Sequence, residues 1–333
     1  MVLNKDEAVR LVMEAGHRLV EAGLTARTWG NISARISDTQ FVITPSGISY
    51  DRLTPELIVT VNIGDCSYEG DVKPSSEKGI HADCYRLRPD VNFVIHTHQL
   101  CATAWGVIGK PMRLRDGLLG EFVPNAEYGI SSTKKLRKNV AASVEQHPKA
   151  KAVFMRGHGV LCLGEDCDEC FAVAKRLEWL CRQKVEEALP LKGSDKEPLV
   201  ITDELRSLAG GAELLFTDTP AVFEASHARE EKYPVIDDMA QIAGTGFACV
   251  TALDGWEKKA ARALRNSNIV FIRHRGAICS GANTDECEAV ATVAEKNCLS
   301  ALYASLYGVD ARLGSADALL QRTIYKAKYS KLK

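Results

Sequence analysis

A segment of this chain occurs twice, and that internal repeat limits how the chain can fold more than any other feature. Residues 153–173 (VFMRGHGVLCLGEDCDECFAV) and 270–290 (VFIRHRGAICSGANTDECEAV) are identical at 11 of 21 positions. Average composition would give about one or two matches by chance. Each copy reads as an apolar strand, a glycine-containing turn and a helix that begins at acidic or amide residues, which are good N-caps. The repeat predicts two related α/β domains in one chain.

The spacing of the two copies predicts where each domain lies. The copies begin at residues 153 and 270, an offset of 117, and a weaker match of HTHQLCATAW at 96 to FTDTPAVFEA at 216 has an offset of 120. A turn-rich segment, LPLKGSDKEP, precedes the second copy. We therefore expect a first domain at residues 1–192 and a truncated second one at residues 200–333, with no counterpart to anything before about residue 80.

Composition and charge exclude several classes of partner. The 333 residues carry a formal net charge of −1 without a basic stripe, so neither nucleic acid nor an anionic membrane is an expected partner. No apolar run approaches the ~20 residues of a membrane-spanning helix, and the N-terminal segment has the pattern of a charged amphipathic helix, not of a signal peptide. The 11 cysteines lack the dense spacing of a disulfide scaffold. We therefore expect a cytoplasmic protein.

Two histidines end a predicted strand of the first copy. In VNFVIHTHQL, residues 91–100, the apolar run is followed by His96 and His98. Side chains of a strand alternate between its faces, so these two imidazoles point the same way. His158 follows later between two glycines, which let the backbone pass close to an ion. Three nitrogen ligands with an open position are typical of catalytic zinc, and the sequence predicts a metal site.

The second copy favours this interpretation over a purely structural one, in which the histidines are satisfied polar residues at a strand end. Its apolar residues, glycines and helix caps are retained, but its aligned positions carry no imidazole: Phe216 for His96, Asp218 for His98 and Arg275 for His158. A scaffold that persists without the histidines indicates that they serve chemistry and not packing.

Three turns upstream of the histidine strand carry short polar side chains. They lie in TWGNISARI, FVITPSGISYDRLT and KPSSEKGIHADCYRLRPD. Each alone is ordinary turn or capping chemistry. The third leads into a helix predicted to begin at Glu77, and a helix N-terminus offers backbone N–H groups to an anion such as phosphate. Because all three turns are absent from the second copy, we expect them to bind a ligand, whereas His81 is interpreted as structural.

In their order, these motifs resemble the class II aldolase and adducin family, which includes fuculose-phosphate aldolases. The resemblance covers about residues 1–190, through WGNIS, ITPSGISYDRLTPE, PSSE, IHADCYRLRPDVNFVIHTH and RGHG. It implies a three-layer α/β/α domain around a mixed, largely antiparallel sheet. Residues 200–333 would then be a truncated, degenerate repeat of that domain without the metal ligands.

The resemblance also implies a site and a reaction. His96, His98 and His158 would bind a divalent metal, with Zn²⁺ expected first and Mn²⁺, Co²⁺ or Fe²⁺ as alternatives, and Glu77 would be the acid/base. The substrate phosphate would be held by five residues: Asn31, Ser46, Gly47, Ser75 and Ser76. The reaction would be cleavage of a ketose 1-phosphate to dihydroxyacetone phosphate and an aldehyde through a metal-stabilised enediolate. The family would also imply a homodimer that forms a pseudo-tetrameric ring, or a homotetramer.

One departure from the family keeps other reactions open. Aldolases of the family use a tyrosine after the histidine strand to protonate the aldehyde oxygen, but KPMRLRDGLLGEFVPNAEYG has none before Tyr128. Tyr325 or Tyr329 could substitute. The departure favours a decarboxylase or dehydratase, whereas Glu77, where the family's epimerases tend to carry aspartate, favours an aldolase. A non-catalytic, adducin-like scaffold is disfavoured for the first copy by its intact site residues, although it suits the second.

Overall fold

A computed structural model describes residues 3–25, 29–228 and 232–329, with side chains as far as Ala327. The chain divides into two units, Met1–Gln183 and Lys184–Lys333. The division falls inside a long helix, earlier than the turn-rich segment at residues 189–198 that the sequence suggested as a linker.

The first unit is organised by a seven-stranded sheet and a separate hairpin. The strands are β1 (Asn31–Arg35), β2 (Gln40–Ile43), β3 (Val59–Asn62), β4 (Phe93–Thr97), β5 (Met112–Asp116), β6 (Gly120–Val123), β7 (Asn125–Ala126), β8 (Ala152–Met155) and β9 (Gly159–Gly164). β5 and β6 form the hairpin, and the order in the large sheet is β3-β2-β1-β4-β9-β8-β7. Every neighbouring pair in this sheet is antiparallel except β7 and β8. The expectation of a mixed, largely antiparallel sheet is confirmed.

Helices cover both faces of this sheet. They are α1 (Lys5–Glu21), α2 (Lys78–Leu87), α3 (Leu100–Val107), α4 (Lys134–Gln146) and α5 (Cys167–Ala188), with short 3-10 turns at Tyr50–Arg52 and Pro55–Leu57. α2 and α4 share a buried apolar cluster with one face of the sheet, which includes Val94 and Leu161. α3 lies on the opposite face, where Gly106 packs against Phe154. This is the three-layer α/β/α arrangement that the family resemblance implied.

The second unit contains a four-stranded sheet and six helices within its described residues. Its strands are β10 (Glu213–Thr217), β11 (Cys249–Val250), β12 (Ile269–Ile272) and β13 (Gly276–Gly281). Its helices are α6 (Asp203–Leu208), α7 (Pro220–Ala225), α8 (Asp237–Ala243), α9 (Trp256–Asn266), α10 (Thr284–Leu306) and α11 (Ser315–Tyr329). The expected amide cap of α10 is present, because Asn283 Oδ1 accepts the backbone N–H of Glu286. Across residues 3–25, 29–228 and 232–329, no helix combines the length and the apolar character that crossing a bilayer requires.

The strands of the second unit pair in the same way as part of the first sheet. The strand order of its sheet is β10-β13-β12-β11, which corresponds to β4-β9-β8-β7 in the first unit. In both sheets the last pair is the parallel one. The registers also correspond: Phe93 pairs with Gly164 in the first unit, and Glu213 with Gly281 in the second. These pairs are 120 and 117 residues apart (213 − 93 and 281 − 164), which are the offsets of the sequence alignment.

Candidate metal centre and active site

The alternation of β4 and the turn before β9 bring the three histidines together. His96 lies two residues after Val94, so its side chain is on the sheet face that α2 and α4 cover. His98 directly follows the strand. His158 lies in the turn between β8 and β9, and because β9 runs antiparallel to β4, this turn ends beside the histidine end of β4.

The three imidazoles form a compact buried cluster. Their ligating nitrogens lie within 4.8 Å of one another, and in the described part of the chain no other group of three or more His, Cys, Asp or Glu residues could hold a metal. His98 Nε2 is 2.9 Å from His96 Nε2, close to the ~3.3 Å that separates two nitrogens on one tetrahedral zinc ion. The exposed fractions of His96, His98 and His158 are 1%, 8% and 2%. The sequence prediction that they share one site agrees with this geometry.

The protonation of His96 suits a metal ligand. His96 Nδ1 donates to the backbone carbonyl of Val160 at 2.8 Å, which leaves the lone pair of Nε2 facing the other two rings. Burial lowers the pKa of His96 to about 3, although the charge of Glu77 opposes this shift. A neutral imidazole with its lone pair aimed into the cluster is the form that binds a divalent ion, so these residues fit the metal that the family implies.

Gly159 gives the cluster its room. A Cβ atom at this position would lie 2.4 Å from the carbonyl oxygen of Thr97, 3.0 Å from His96 Cε1 and 3.2 Å from His98 Cδ2. All three distances are shorter than ordinary van der Waals contacts. The glycine after His158 is therefore required by the close approach of β9 to the ligand strand.

Glu77 brings a carboxylate to the histidines. It is the N-cap residue of α2, one position before the helix that the sequence predicted to begin at Glu77, and its backbone N–H donates to Ser75 Oγ at 3.2 Å. Glu77 Oε1 is 3.0 Å from His158 Nε2, and Oε2 is 3.3 Å from His96 Nε2. Burial alone would raise the pKa of Glu77, but the adjacent His158 and a hydrogen bond from Asn31 hold it well below its usual range.

Two of the predicted phosphate turns lie side by side next to Glu77. The backbone N–H of Ser46 donates to Lys73 O at 2.9 Å, and that of Ser75 donates to Thr44 O at 3.0 Å. Gly47 has a φ of 76°, which favours glycine in this turn. The hydroxyls of Ser76 and Ser132 are 2.8 Å apart, so Ser132 is a polar neighbour that the motifs did not indicate.

The amide of Asn31 points inward. Its Nδ2 donates to Glu77 Oε2 at 3.1 Å, and its Oδ1 is 2.5 Å from His81 Nε2. His81 in turn contacts Ser33 Oγ, which contacts the hydroxyl of Tyr85. Ser33 and Tyr85 were not predicted as part of the site. The sequence contained a signal for Tyr85, because Glu77, His81 and Tyr85 are spaced by four and therefore share one helix face.

A tyrosine proton donor is not assigned by the described geometry. The segment after the histidine strand forms the β5–β6 hairpin, and Tyr128 follows β7 with its carbonyl accepting from Asn139. Tyr325 belongs to α11 of the second unit, and the side chain of Tyr329 lies outside the described residues. The role of these tyrosines stays a prediction.

The turn of the second unit that matches the histidine turn has the same clearance with different side chains. A Cβ at Gly276 would lie 2.4 Å from Thr217 O, 3.1 Å from Phe216 Cζ and 3.1 Å from Asp218 Cβ. The phenyl ring of Phe216 thus contacts this glycine as the imidazole of His96 contacts Gly159. A phenyl ring offers no lone pair to a metal ion.

The chain is similar to several known sugar-phosphate enzymes. L-fuculose phosphate aldolase of Escherichia coli is 27% identical over 62% of this chain and 97% of its own length. A 5-deoxy-D-ribulose 1-phosphate aldolase of Bacillus thuringiensis is 31% identical over 63% of this chain and 96% of its own. A methylthioribulose-1-phosphate dehydratase of Hahella chejuensis is 29% identical over 53% and 91%.

A solved structure and a family model complete the comparison. The structure of an L-fuculose 1-phosphate aldolase superposes with a TM-score of 0.50 at 29% identity, over 61% of this chain and 93% of that one. The model of the class II aldolase and adducin N-terminal domain matches residues 10–185, which contain all the candidate site residues. The expectation of an enzyme of the carbon–carbon lyase class is confirmed, and the chain belongs to the family of class II aldolases and adducin N-terminal domains.

Proposed function

We propose that the first unit is a metal-dependent aldolase that cleaves a ketose 1-phosphate to dihydroxyacetone phosphate and an aldehyde. The observation that carries this proposal is the buried Glu77 carboxylate, 3.0 and 3.3 Å from two of three clustered imidazoles. His96, His98 and His158 would hold a divalent ion, with Zn²⁺ expected for three nitrogen ligands. When bound, the ion supplies a Lewis acid for the substrate carbonyl.

Glu77 would move the proton of the reaction. Its depressed pKa makes it a carboxylate at neutral pH, able to accept a proton from the carbon next to the carbonyl and return it. In the cleavage direction the carboxylate would first take the proton of the hydroxyl on the carbon that leaves as the aldehyde, and after the carbon–carbon bond breaks it would give this proton to the enediolate carbon.

The adjacent turns would hold the substrate phosphate. Ser46, Gly47, Ser75 and Ser76 lie on two segments joined by backbone hydrogen bonds, and Ser75 and Ser76 directly precede Glu77. Backbone N–H groups and hydroxyls of this kind bind phosphate oxygens. Asn31 would contribute through the second hydrogen of its amide, since the first is donated to Glu77.

The test is metal content and product release from the purified protein. His98→Ala should remove the bound metal and abolish turnover while the fold is kept. Glu77→Gln should retain the metal and lower kcat by ~10²–10⁴-fold, the usual contribution of general acid–base catalysis. Ketose 1-phosphates are screened for release of dihydroxyacetone phosphate. Stoichiometric metal in the double variant His96→Ala/His98→Ala, or a wild-type kcat for Glu77→Gln, would contradict the proposal.

A dehydratase is the second candidate, favoured by one comparison and one residue pattern. The Hahella chejuensis relative is a dehydratase at 29% identity, and the segment between β4 and Tyr128 offers no tyrosine as donor to an aldehyde oxygen. Dehydration of a ketose 1-phosphate would begin with the same proton removal by Glu77, but it would expel a hydroxyl group and keep the carbon chain intact. Formation of a dehydrated product with an intact carbon chain, without release of dihydroxyacetone phosphate, distinguishes dehydration from cleavage.

We further propose that residues 200–333 are a degenerate copy of residues 1–192. Support comes from the matching strand order, the matching registers and the shared clearance at Gly159 and Gly276. The described residues of the second unit contain no strand before β10 that could be a counterpart of β1–β3, in agreement with the truncation that the alignment indicates, whereas α6 packs against α9 as α2 packs against α4. On this proposal the second unit does not catalyse the reaction.

A homodimer with a pseudo-tetrameric ring is the assembly we propose, with a homotetramer as the alternative. Two units per chain would let two chains supply four related domains under one two-fold axis. α11 presents large apolar side chains to solvent, with Leu319 and Leu320 exposed by 60% and 46%, as an interface helix would. Sedimentation equilibrium of the full chain measures the mass, and a monomer at all concentrations would contradict this assembly.

A further inference from the structure

A face of α2 and a face of β1 meet in a line of polar side chains beneath the candidate site. Glu77, His81 and Tyr85 are spaced by four and lie on one face of the helix. Asn31 and Ser33 are spaced by two and lie on one face of the strand. β1 neighbours β4, with Asn31 directly opposite His96, so the polar line ends at the metal centre.

These five side chains form an unbroken chain of contacts. Tyr85 OH is 2.6 Å from Ser33 Oγ, and Ser33 Oγ is 2.6 Å from His81 Nδ1. His81 Nε2 is 2.5 Å from Asn31 Oδ1, and Asn31 Nδ2 is 3.1 Å from Glu77 Oε2. None of the five is more than 6% exposed.

The chemistry of each group fixes the direction of every hydrogen bond. A carboxylate only accepts, so the Asn31 amide nitrogen donates to Glu77 and its Oδ1 turns to His81. His81 Nε2 must then carry a hydrogen. Burial lowers the pKa of His81 to about 4, against the opposing charge of Glu77, so its ring is neutral and Nδ1 is a bare acceptor. The hydroxyl of Ser33 therefore donates its one hydrogen to His81 Nδ1, and its oxygen accepts the hydrogen bond from the hydroxyl of Tyr85.

All four bonds therefore donate toward Glu77. Hydrogen bonds in such a line polarise one another, and the last one reaches an ionised oxygen. The line also fixes the orientation of the carboxylate. Its Oε2 accepts the hydrogen bond from Asn31, and its Oε1 lies 3.0 Å from His158 Nε2. A rotation of the carboxylate would break the bond from Asn31.

We propose that His81 is a positioning residue that fixes the orientation of Glu77 through Asn31, with Ser33 and Tyr85 completing the line. This proposal rests on the proposed function, in which Glu77 transfers the proton. His81 is thus more than the structural residue that the sequence favoured. Five buried polar side chains are costly unless all are paired, and an apolar contact between α2 and β1 would pack as well at lower cost.

The test uses a partial reaction that requires proton transfer by Glu77 but neither the aldehyde nor its proton donor. The full chain, loaded with Zn²⁺, is incubated with dihydroxyacetone phosphate in D₂O, and exchange of the carbon-bound proton is followed by NMR. His81→Leu should lower kcat for exchange by ~10-fold or more, with KM for dihydroxyacetone phosphate within twofold of wild type. His81→Gln, which can still donate to Asn31, should recover most of the rate. His147→Leu, at the end of α4 outside the line, is the matched control and should exchange like wild type.

A double-mutant cycle separates positioning from loss of stability. Glu77→Asp shortens the side chain by one methylene, so its carboxylate no longer reaches Asn31. In that background His81→Leu should change kcat by less than twofold, while it lowers the melting temperature as much as in the wild-type background. An equal loss of kcat in both backgrounds would show a structural effect and overturn the inference.

The variants of Glu77 and His81 together show whether the inference fails alone or fails with the proposed function. Glu77→Gln without exchange together with fully active His81→Leu would overturn the inference and leave the proposed function standing. Wild-type exchange in Glu77→Gln would overturn both. If His81→Leu does not fold, Ser33→Ala is the smaller change, because it removes only the hydroxyl group that donates to His81 Nδ1. It should lower kcat by about three- to tenfold at constant KM, and an unchanged kcat would overturn the inference.

Discussion

Gly159→Ala tests how tightly the fold restricts the metal site. The added methyl would lie 2.4 Å from Thr97 O, whereas ordinary contacts begin at 3.4 Å, so β9 must move about 1 Å away from β4 (3.4 − 2.4). The same methyl would press on His96 Cε1 and His98 Cδ2, at 3.0 and 3.2 Å. Since the three ligands lie on these two segments, the movement separates His158 from the other two.

Two effects of Gly159→Ala can be given magnitudes. Overpacking of a tight interior costs ~1–3 kcal/mol of unfolding free energy, which lowers the melting temperature by roughly 2–12 °C for a unit of this size. Displaced ligands lower metal affinity by ~10–100-fold, or ~1.4–2.7 kcal/mol. The assay titrates the metal-stripped protein with Zn²⁺ against a chromophoric chelator, alongside a thermal melt.

Gly106→Ala is the matched control. Its methyl would sit 3.6 Å from Phe154 Cβ, an ordinary contact, and alanine favours the α3 helix by ~0.5–1 kcal/mol over glycine. The control should bind Zn²⁺ like wild type and melt no lower. If Gly159→Ala matches the control in both measurements, the clearance between β9 and the ligands does not limit the site.

Three further predictions concern stability, each measured by urea unfolding. The carboxylate of Glu178 accepts hydrogen bonds from the backbone N–H groups of Cys101 and Ala102 in the first turn of α3, at 2.9 Å each. Glu178→Ala should therefore lower the free energy of unfolding by ~1–3 kcal/mol and Glu178→Gln by about half as much. Variants as stable as the wild type would contradict this role of Glu178. Burial lowers the pKa of His81 from 6.5 to about 4, so the unfolded chain binds a proton between these values that the folded chain does not, and stability falls as the pH drops from 6.5 to 4. His81→Gln should remove ~3 kcal/mol of that fall, and an unchanged pH dependence would contradict a neutral His81. Lys296 and Asp238 form a buried ion pair at 3.3 Å. Lys296→Met should lower the free energy of unfolding by ~3–5 kcal/mol, because it leaves the charge of Asp238 buried without its partner, and Lys296→Met/Asp238→Leu should regain most of this loss. A double variant no more stable than the single one would contradict this explanation.

The sequence predicted the parts of the site that depend on local periodicity. The period of two placed His96 and His98 on one face, and the serines before Glu77 indicated a helix start, which is where α2 begins. The glycines around His158 indicated a close backbone approach, which Gly159 makes.

The parts that the sequence did not predict depend on which strands are neighbours. Asn31 was interpreted as a turn residue, but it is the first residue of β1, and its partner Glu77 is 46 positions away. That contact exists because β1 lies next to β4 under α2, a sheet order that no local pattern contains. His81 was interpreted as structural for the same reason, since a single helix face shows its spacing but not the strand residues that it meets.

The strand order of the second unit has an evolutionary consequence. Its sheet ends at β10, where the first sheet continues into β1, β2 and β3. Placing histidines at positions 216, 218 and 275 would restore imidazoles in the right register, yet the described residues of this unit contain no strand before β10 that could carry an amide equivalent to Asn31. On the proposed common origin, the second copy lost its chemistry twice, once by substitution and once by truncation. Point mutations can reverse only the first loss, so on this origin the second copy would be retained for its surface and its stability and not for catalysis.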